Sequence, residues 1–160
     1  MCIRDSGSQC ALGRSRKTPE AVDTVLVSLV DRVTRRMRIA GRVGRTVVLR
    51  LRFGDFSRAT RSHTLPQPIA HTQTILLTAR WLLSGAMPEI QRRGLTLVGV
   101  AVANLEDDSA LQLVLPLDPF SGTALDVALD EVRRRFGATA VTRAVLLGRN
   151  QGFTVPLLPD

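Results

Sequence analysis

A β-hairpin pattern in the first half of the sequence most constrains how this chain can fold. Within 45–53, apolar side chains occupy every second position from Val47 to Phe53, which is typical of a strand with one buried face. The Gly-Asp pair at 54–55 favours a turn, and 57–65 alternates again but is polar on both sides. Pro66 and Pro68 then close the second strand. The pattern predicts two antiparallel strands, one face of which packs on a core.

A well-marked helix is predicted before the hairpin. Thr18 supplies a capping hydroxyl, Pro19 suits the first helical position, and Glu20 suits the positive end of the helix dipole. Apolar residues then follow at spacings of three and four, and Gly41 ends the helix. The buried stripe is expected to consist of Val22, Leu26, Leu29, Val33 and Met37.

Further elements are predicted after the hairpin. A second helix covers about 69–84 and ends before Pro88, and an apolar strand covers 95–105. A third helix is expected at 123–136, with Leu125, Leu129, Val132 and Phe136 facing inward. The remaining segments are an acidic turn at 106–108, a short extended run at 111–115, a last strand at 141–147 and an irregular tail.

The whole chain has a net charge of +8, and its positive charge is concentrated in the N-terminal part. Residues 1–65 hold 14 basic and 5 acidic side chains, whereas residues 66–160 hold 8 basic and 9 acidic ones. Of the 22 basic residues 21 are arginine, which favours forked contacts with phosphate. The asymmetry indicates a polyanionic partner, and it favours nucleic acid over a membrane. The alternative is a solvated basic face.

The hairpin carries the side chains that usually bind phosphate. Arginines, hydroxyls and the N–H groups of extended backbone all make such contacts. No aromatic platform is expected there, because Phe53 belongs to the inward set, so a duplex backbone is a better partner than stacked single-stranded bases. The candidate residues are Arg50, Arg52, Arg58, Thr60, Arg61, Ser62 and Thr64. The alternative is that these arginines only solubilise an open sheet face.

Motifs of catalysis are missing from the sequence, and we predict no catalytic residue and no metal site. There is no phosphate-binding loop with a Lys-Ser/Thr ending and no Gly-x-Ser-x-Gly. His63 and His71 have no metal-ligand spacing to other donors. Three successive acids at 106–108 are more typical of a solvated loop than of a two-metal site. No apolar run is long enough to span a membrane, no signal peptide is readable, and two cysteines fit a reducing compartment.

Several motifs, in order, resemble the little finger domain of Y-family DNA polymerases, most closely the bacterial DNA polymerase IV type. They are Arg45-Thr-Val-Val-Leu-Arg-Leu-Arg-Phe-Gly-Asp-Phe56, Thr60-Arg-Ser-His-Thr-Leu65 and Leu95-Thr-Leu-Val-Gly-Val-Ala-Val-Ala-Asn-Leu105. Leu29-Val-Asp-Arg-Val-Thr-Arg-Arg-Met-Arg38 in the first helix fits the same domain, and Gly7-Ser-Gln-Cys-Ala-Leu12 resembles the end of its first strand.

The resemblance implies a fold class and a partner. It implies an α/β fold of the α+β sandwich type, with a mostly antiparallel sheet backed by two helices and a C-terminal helix–strand extension. It also implies that the open sheet face holds the phosphates of primer–template DNA. The residues expected to line this contact are Arg45, Arg50, Arg52, Arg58, Thr60, Arg61, Ser62, His63 and Thr64.

A second motif, Gln112-Leu-Val-Leu-Pro-Leu117, resembles the peptide by which such polymerases bind the sliding clamp. Gln112 would bind at a pocket rim, and Leu113, Leu115 and Leu117 would fill a groove. The alternative is an edge strand ended by Pro116.

The resemblance also divides the chain and its activities. We expect a leader or artefact at 1–6, the little finger domain at 7–117, and the extension at 118–160. This chain would bind no cofactor itself, whereas Mg²⁺, deoxynucleotides and the metal-binding carboxylates belong to the palm, fingers and thumb of the parent polymerase. We expect a cytoplasmic, nucleoid-associated bacterial protein without membrane contact.

Three hypotheses for function remain open at this point. The first is the DNA-binding domain of a translesion polymerase. The second is an accessory module of an inactive relative that acts mainly through clamp or partner binding. The third is a generic RNA-binding α/β domain.

Overall fold

A four-stranded antiparallel sheet forms the centre of the fold in the computed structural model, which describes residues 5–13, 17–108 and 123–148. The strands are β1 (Asp5–Ala11), β2 (Arg42–Phe53), β3 (Arg58–Ile69) and β4 (Leu95–Asp107), in the order β1-β4-β2-β3. The helices are α1 (Pro19–Ile39), α2 (Thr72–Arg93) and α3 (Thr123–Phe136), and a 3₁₀ turn at Ala144–Leu146 follows α3.

Among the described residues, two helices cover one face of the sheet and no helix covers the other. α1 packs over β1 and β4, and α2 packs over β2 and β3. The core lies between the helices and the sheet, and the predicted α1 stripe is buried there in full. From the sheet it receives Val47, Leu49, Leu51, Phe53, Val98, Val100 and Val102. This confirms the predicted fold class, because an antiparallel sheet with its helices on one side is an α+β layer structure.

The N-terminal signals of α1 act as the sequence predicts. The Thr18 hydroxyl accepts a hydrogen bond from the Ala21 N–H at 3.2 Å, and Pro19 is the first helical residue. β1 begins at Asp5, two residues before the predicted strand, and Asp5 and Ser6 pair with β4.

The predicted end of α2 is wrong. The helix continues through Pro88 to Arg93 and ends at Gly94, which has a φ of +70°. Ala86 and Ile90 are buried and extend the apolar stripe past the proline. Tertiary packing therefore outweighs the backbone hydrogen bond that Pro88 removes.

The predicted end of β3 is also wrong. The strand continues through Pro66 and Pro68 to Ile69. β3 is an edge strand that pairs only with β2 among the described strands. Proline is tolerated at an edge because its missing N–H removes no ladder hydrogen bond when it faces away from the neighbouring strand.

Three further predictions concern the segments at 106–108, 111–115 and 141–147. β4 extends to Asp107, so the predicted acidic turn is partly strand, and Asp107 forms an ion pair with Arg42 at 3.2 Å. The strand predicted at 141–147 is wrong, because this stretch contains the 3₁₀ turn instead. The extended run at 111–115 lies outside the described residues.

The predicted inward face of α3 is wrong at its two ends, whereas Leu129 and Val132 are half-buried. Leu125 is 63% exposed and Phe136 is 74% exposed. Asp126 and Arg133 are buried instead, so the helix docks through charged side chains. Among the described residues, no helix has the length and apolar character needed to cross a membrane.

Candidate nucleic-acid interface

The register between β2 and β3 brings one set of polar side chains onto the uncovered face of the sheet. Residues directly opposite in an antiparallel pair point to the same side. Arg50 pairs with Thr60 and Arg52 with Arg58, which places three arginines and a hydroxyl side by side. Val48 pairs with Ser62 and Thr46 with Thr64 on the same side. We call this set the open face: Thr46, Arg50, Arg52, Arg58, Thr60, Ser62 and Thr64.

Arg61 and His63 were expected in the same set, but the register places them on the opposite side of β3. Arg61 pairs with Leu49 and His63 with Val47, and both partners are buried under the helices. The Arg61 guanidinium lies 3.4 Å from the Glu89 carboxylate on α2. The His63 ring meets the Trp81 ring edge-on, with 5.2 Å between centroids. Both side chains therefore contact α2 and lie away from the open face.

Arg45 lies at an irregularity in β2, where the register shifts between Gly44 and Thr46. Its guanidinium donates to the Pro66 carbonyl at 3.0 Å, so it holds the far end of the hairpin. Thr46 was missed in the sequence, although its position two residues before Val48 gives it the parity of Arg50. Its hydroxyl lies 3.1 Å from that of Thr64 and accepts from the Asn104 amide at 2.9 Å.

Small residues of β4 form the middle of the sheet next to the arginines. Gly99 pairs with Arg50 on one side and Gln9 on the other. A Cβ at Gly99 would lie 3.1 Å from the Gln9 Cβ and 3.6 Å from the Arg50 Cβ. Because glycine has no side chain, the centre of the face does not project here, which allows a ligand backbone to approach the sheet.

The hairpin turn is held by a charged contact to the end of α2. Asp55 accepts hydrogen bonds from the Ser57 hydroxyl and from the Arg93 guanidinium, the latter at 2.7 Å. These two donors lower the pKa of Asp55 to about 2. A Cβ at Gly54 would lie 2.8 Å from the Arg93 carbonyl oxygen, so the close approach of α2 requires glycine there.

The other predicted sites are not part of this arrangement. The clamp-binding residues Gln112, Leu113, Leu115 and Leu117 lie outside the described residues. Across 5–13, 17–108 and 123–148, no three His, Cys, Asp or Glu side chains are grouped as metal ligands. The open face contains Arg and hydroxyl groups and no carboxylate, so its chemistry is that of binding anions.

A family model described as the impB/mucB/samB family C-terminal domain matches residues 5–115. The chain is 38% identical over 149 residues to DNA polymerase IV 2 of Mesorhizobium japonicum, a match that covers 85% of this chain and 36% of the relative. It is 34% identical to DNA polymerase IV of Moorella thermoacetica, a match that covers 91% of this chain and 36% of that protein. The chain thus spans about a third of the length of these two relatives.

Two solved structures share the fold. One is a complex of the beta-clamp processivity factor with the little finger domain of PolIV, with a TM-score of 0.51 and 22% identity, covering 71% of this chain and 99% of that one. The other is a post-insertion binary complex of Dbh DNA polymerase, with a TM-score of 0.57 and 13% identity, covering 64% of this chain and 29% of the polymerase. With the family match over most of the described residues, they give one conclusion: the chain belongs to the impB/mucB/samB family as its C-terminal domain, the little finger of Y-family DNA polymerases.

Proposed function

We propose that the open face binds the sugar–phosphate backbone of duplex DNA. The register that aligns Arg50, Arg52 and Arg58 on one side of a sheet, with hydroxyls between them, carries this proposal. Arginine forks and Ser/Thr hydroxyls make most protein contacts to phosphate. Within the part of the chain that the structure describes, α1 and α2 cover the opposite face and leave the open face as the accessible broad surface of the sheet.

A duplex fits this face better than a single strand. Single-strand binding relies on aromatic rings on which bases stack. Phe53 is buried in the core and Trp81 lies on α2, so the strand positions of the open face carry no ring. Phosphate contacts without base contacts give affinity that is nearly independent of sequence and strongly dependent on salt.

In the full-length protein, we propose that this domain holds primer–template DNA for a template-directed DNA polymerase. The relatives named DNA polymerase IV support this assignment, and they extend well beyond the region matched here. The palm, fingers and thumb would supply the carboxylates, Mg²⁺ and deoxynucleotide site, while this chain contributes DNA binding. Binding to DNA also implies association with the bacterial nucleoid.

A sliding clamp is the second partner that we propose, through Gln112–Leu117. The solved complex of the PolIV little finger with the beta clamp supports it. If the chain is instead an accessory module, Gln112→Ala abolishes clamp binding while DNA binding is weak throughout. A clamp pull-down and a DNA titration, each done with the unaltered chain and with Gln112→Ala, separate these cases.

The test of DNA binding is a fluorescence anisotropy titration with primer–template DNA at two salt concentrations. We expect Arg50→Ala and Arg52→Ala each to weaken binding roughly tenfold, because each removes a charge-assisted contact. Each should also lower the slope of log affinity against log salt by about 1, on every DNA sequence alike.

Arg61→Ala is the matched control, since it removes an arginine from the same hairpin but from the side facing α2. Its affinity should stay near that of the unaltered chain. Equal losses in Arg61→Ala and Arg50→Ala contradict the assignment of the face. Preference for duplex RNA over duplex DNA supports the RNA-binding alternative.

A further inference from the structure

A second group of arginines lines a cavity on the other side of the molecule, between α1 and the C-terminal extension. The cavity has a volume of about 510 Å³, within the range of small-molecule sites. Its polar lining consists mainly of Arg32, Arg35, Arg36, Arg133, Thr139 and Thr142.

The charges around this cavity favour an anion. Among the described residues that line it, the one carboxylate is Asp31. Asp31 is already engaged by Arg133 at 3.1 Å and by Arg143 at 3.6 Å, so its charge is compensated within the protein. On α1, Arg35 and Arg36 lie three and four residues after Arg32, spacings at which like charges on a helix repel. A bound anion would relieve that repulsion.

Two of these arginines differ in the hydrogen bonds that they make within the protein. Arg36 donates to the Gly7 carbonyl and so anchors β1 to α1. The Nε of Arg35 is buried and has no hydrogen-bond partner. An unsatisfied buried donor is costly, and a ligand oxygen is the group that would satisfy it.

The cavity also has an apolar wall. Ile39 is 72% exposed and Leu147 is 65% exposed, and both line the cavity. Arginines beside exposed aliphatic groups fit a ligand with a phosphate at one end and a less polar sugar or base at the other.

A smaller cavity at the β1 edge joins this region to the sheet. It is lined by Arg32 and Arg36 of α1 and by Arg50 and Gly99 of the sheet. Arginine side chains therefore continue from the open face, around β1, to the cavity on α1. This continuity gives a DNA backbone as well as a free nucleotide a route to the site.

We propose that the cavity between α1 and the C-terminal extension is a phosphate-binding site, separate from the open face. The ligand is a phosphate ester, and its source is a free nucleotide or a nucleic-acid backbone. Arg35 binds the phosphate through its guanidinium, and Thr139 and Thr142 contribute hydroxyls. The site does not depend on the proposed DNA binding by the open face.

Isothermal titration calorimetry of the whole chain with inorganic pyrophosphate and with 2′-deoxyadenosine 5′-monophosphate tests the proposal. Arg35→Gln removes the guanidinium, and Thr139→Glu places a carboxylate at the exposed rim without altering an arginine. We expect each change to weaken binding at least tenfold. Arg135→Gln is the control, because Arg135 pairs with Glu131 on α3 and does not line the cavity. Circular dichroism and melting curves establish that each variant is folded.

A duplex DNA titration with the same variants identifies the source of the phosphate. Binding of the free ligands that is lost in Arg35→Gln and Thr139→Glu supports a nucleotide site. If the free ligands do not bind but both variants weaken DNA binding, the proposal holds with the DNA backbone as ligand. The proposal is overturned if the free ligands bind equally well to the variants and to the unaltered chain. It is also overturned if the free ligands do not bind and the variants leave DNA binding unchanged. Arg52→Ala should leave pyrophosphate binding unchanged, so failure of the open-face proposal is detected separately.

Discussion

Asp55 shows how single side chains hold the β2–β3 hairpin to α2. Its carboxylate joins Ser57 within the turn to Arg93 at the end of α2. The Arg93 guanidinium also lies over the Phe53 ring, 4.8 Å from its centroid, so one cation connects the turn to the core. The orientation of the hairpin thus depends on a few charged contacts at its tip.

The depressed pKa of Asp55 gives a prediction about pH. Its pKa of about 2 lies below the ordinary carboxyl value, so its contribution to stability is fully present above about pH 4. That contribution should be lost as the pH falls through 2. In ¹³C NMR titrations, Ser57→Ala should raise the pKa of Asp55 toward the ordinary value, because the Ser57 hydroxyl makes the largest contribution to the shift. An unchanged pKa in Ser57→Ala contradicts this account.

The faces of Arg61 and His63 could not be predicted from residue types alone. β2 alternates apolar and polar residues, so its inward side is readable from the sequence. β3 is polar on both sides, and neither set of its residues is marked as inward. Only pairing with β2 settles its faces, since a shift of one residue would exchange them.

At the scale of elements, α3 is docked in a way that its sequence pattern conceals. Its apolar residues form a helical stripe, but Leu125 and Phe136 face solvent. Arg38 of α1 instead lies 2.6 Å from Asp130 and 3.4 Å from Asp126. Hydrophobic periodicity predicted the existence of the helix correctly, but the complementary charges on α1 decide which side it buries.

Asp126 also acts as a cap for a helix other than its own. Its carboxylate accepts a hydrogen bond from the Thr72 N–H at 2.8 Å, at the N-terminus of α2. His71, the N-cap residue, provides no side-chain cap. A carboxylate at this end of a helix satisfies a free N–H and suits the helix dipole.

We therefore predict that Asp126→Ala lowers the free energy of unfolding by about 1–3 kcal/mol, because a buried N–H and Arg38 each lose a partner. Urea unfolding measures the change. Glu131→Ala on the exposed side of α3 is the control and should have little effect. Hydrogen exchange at the first turn of α2 should increase in Asp126→Ala, and equal effects of the two substitutions would contradict the capping role.

At the scale of the whole molecule, the core formed by the described residues is nearly complete without the C-terminal extension. Four strands and two helices supply nearly all buried apolar side chains, and within 123–148 the one addition is Leu146. Its described part, 123–148, attaches through ion pairs centred on Asp31 and Arg38. Such pairs hold an element in position but supply less stability than an apolar core.

A chain that ends at residue 122 should therefore still unfold in one cooperative transition. Its free energy of unfolding should fall by about 1–3 kcal/mol, since Arg38 and Asp31 lose buried partners. Thermal melting followed by circular dichroism measures both quantities. Loss of the cooperative transition would show that the extension belongs to the folding core.

The sequence alone determined the local elements and the chemistry they carry. Periods of two and of 3.6, a helix cap and a Gly-Asp turn are local signals, and they located the hairpin, α1, the core of β4 and the basic character of one surface. Tertiary structure decided where polar residues point and where elements end. Arg61 contacts α2, Pro88 lies inside a helix, and α3 buries charged side chains. These outcomes depend on contacts between residues distant in sequence, since a polar side chain or a proline is accommodated according to the partner that the fold brings to it.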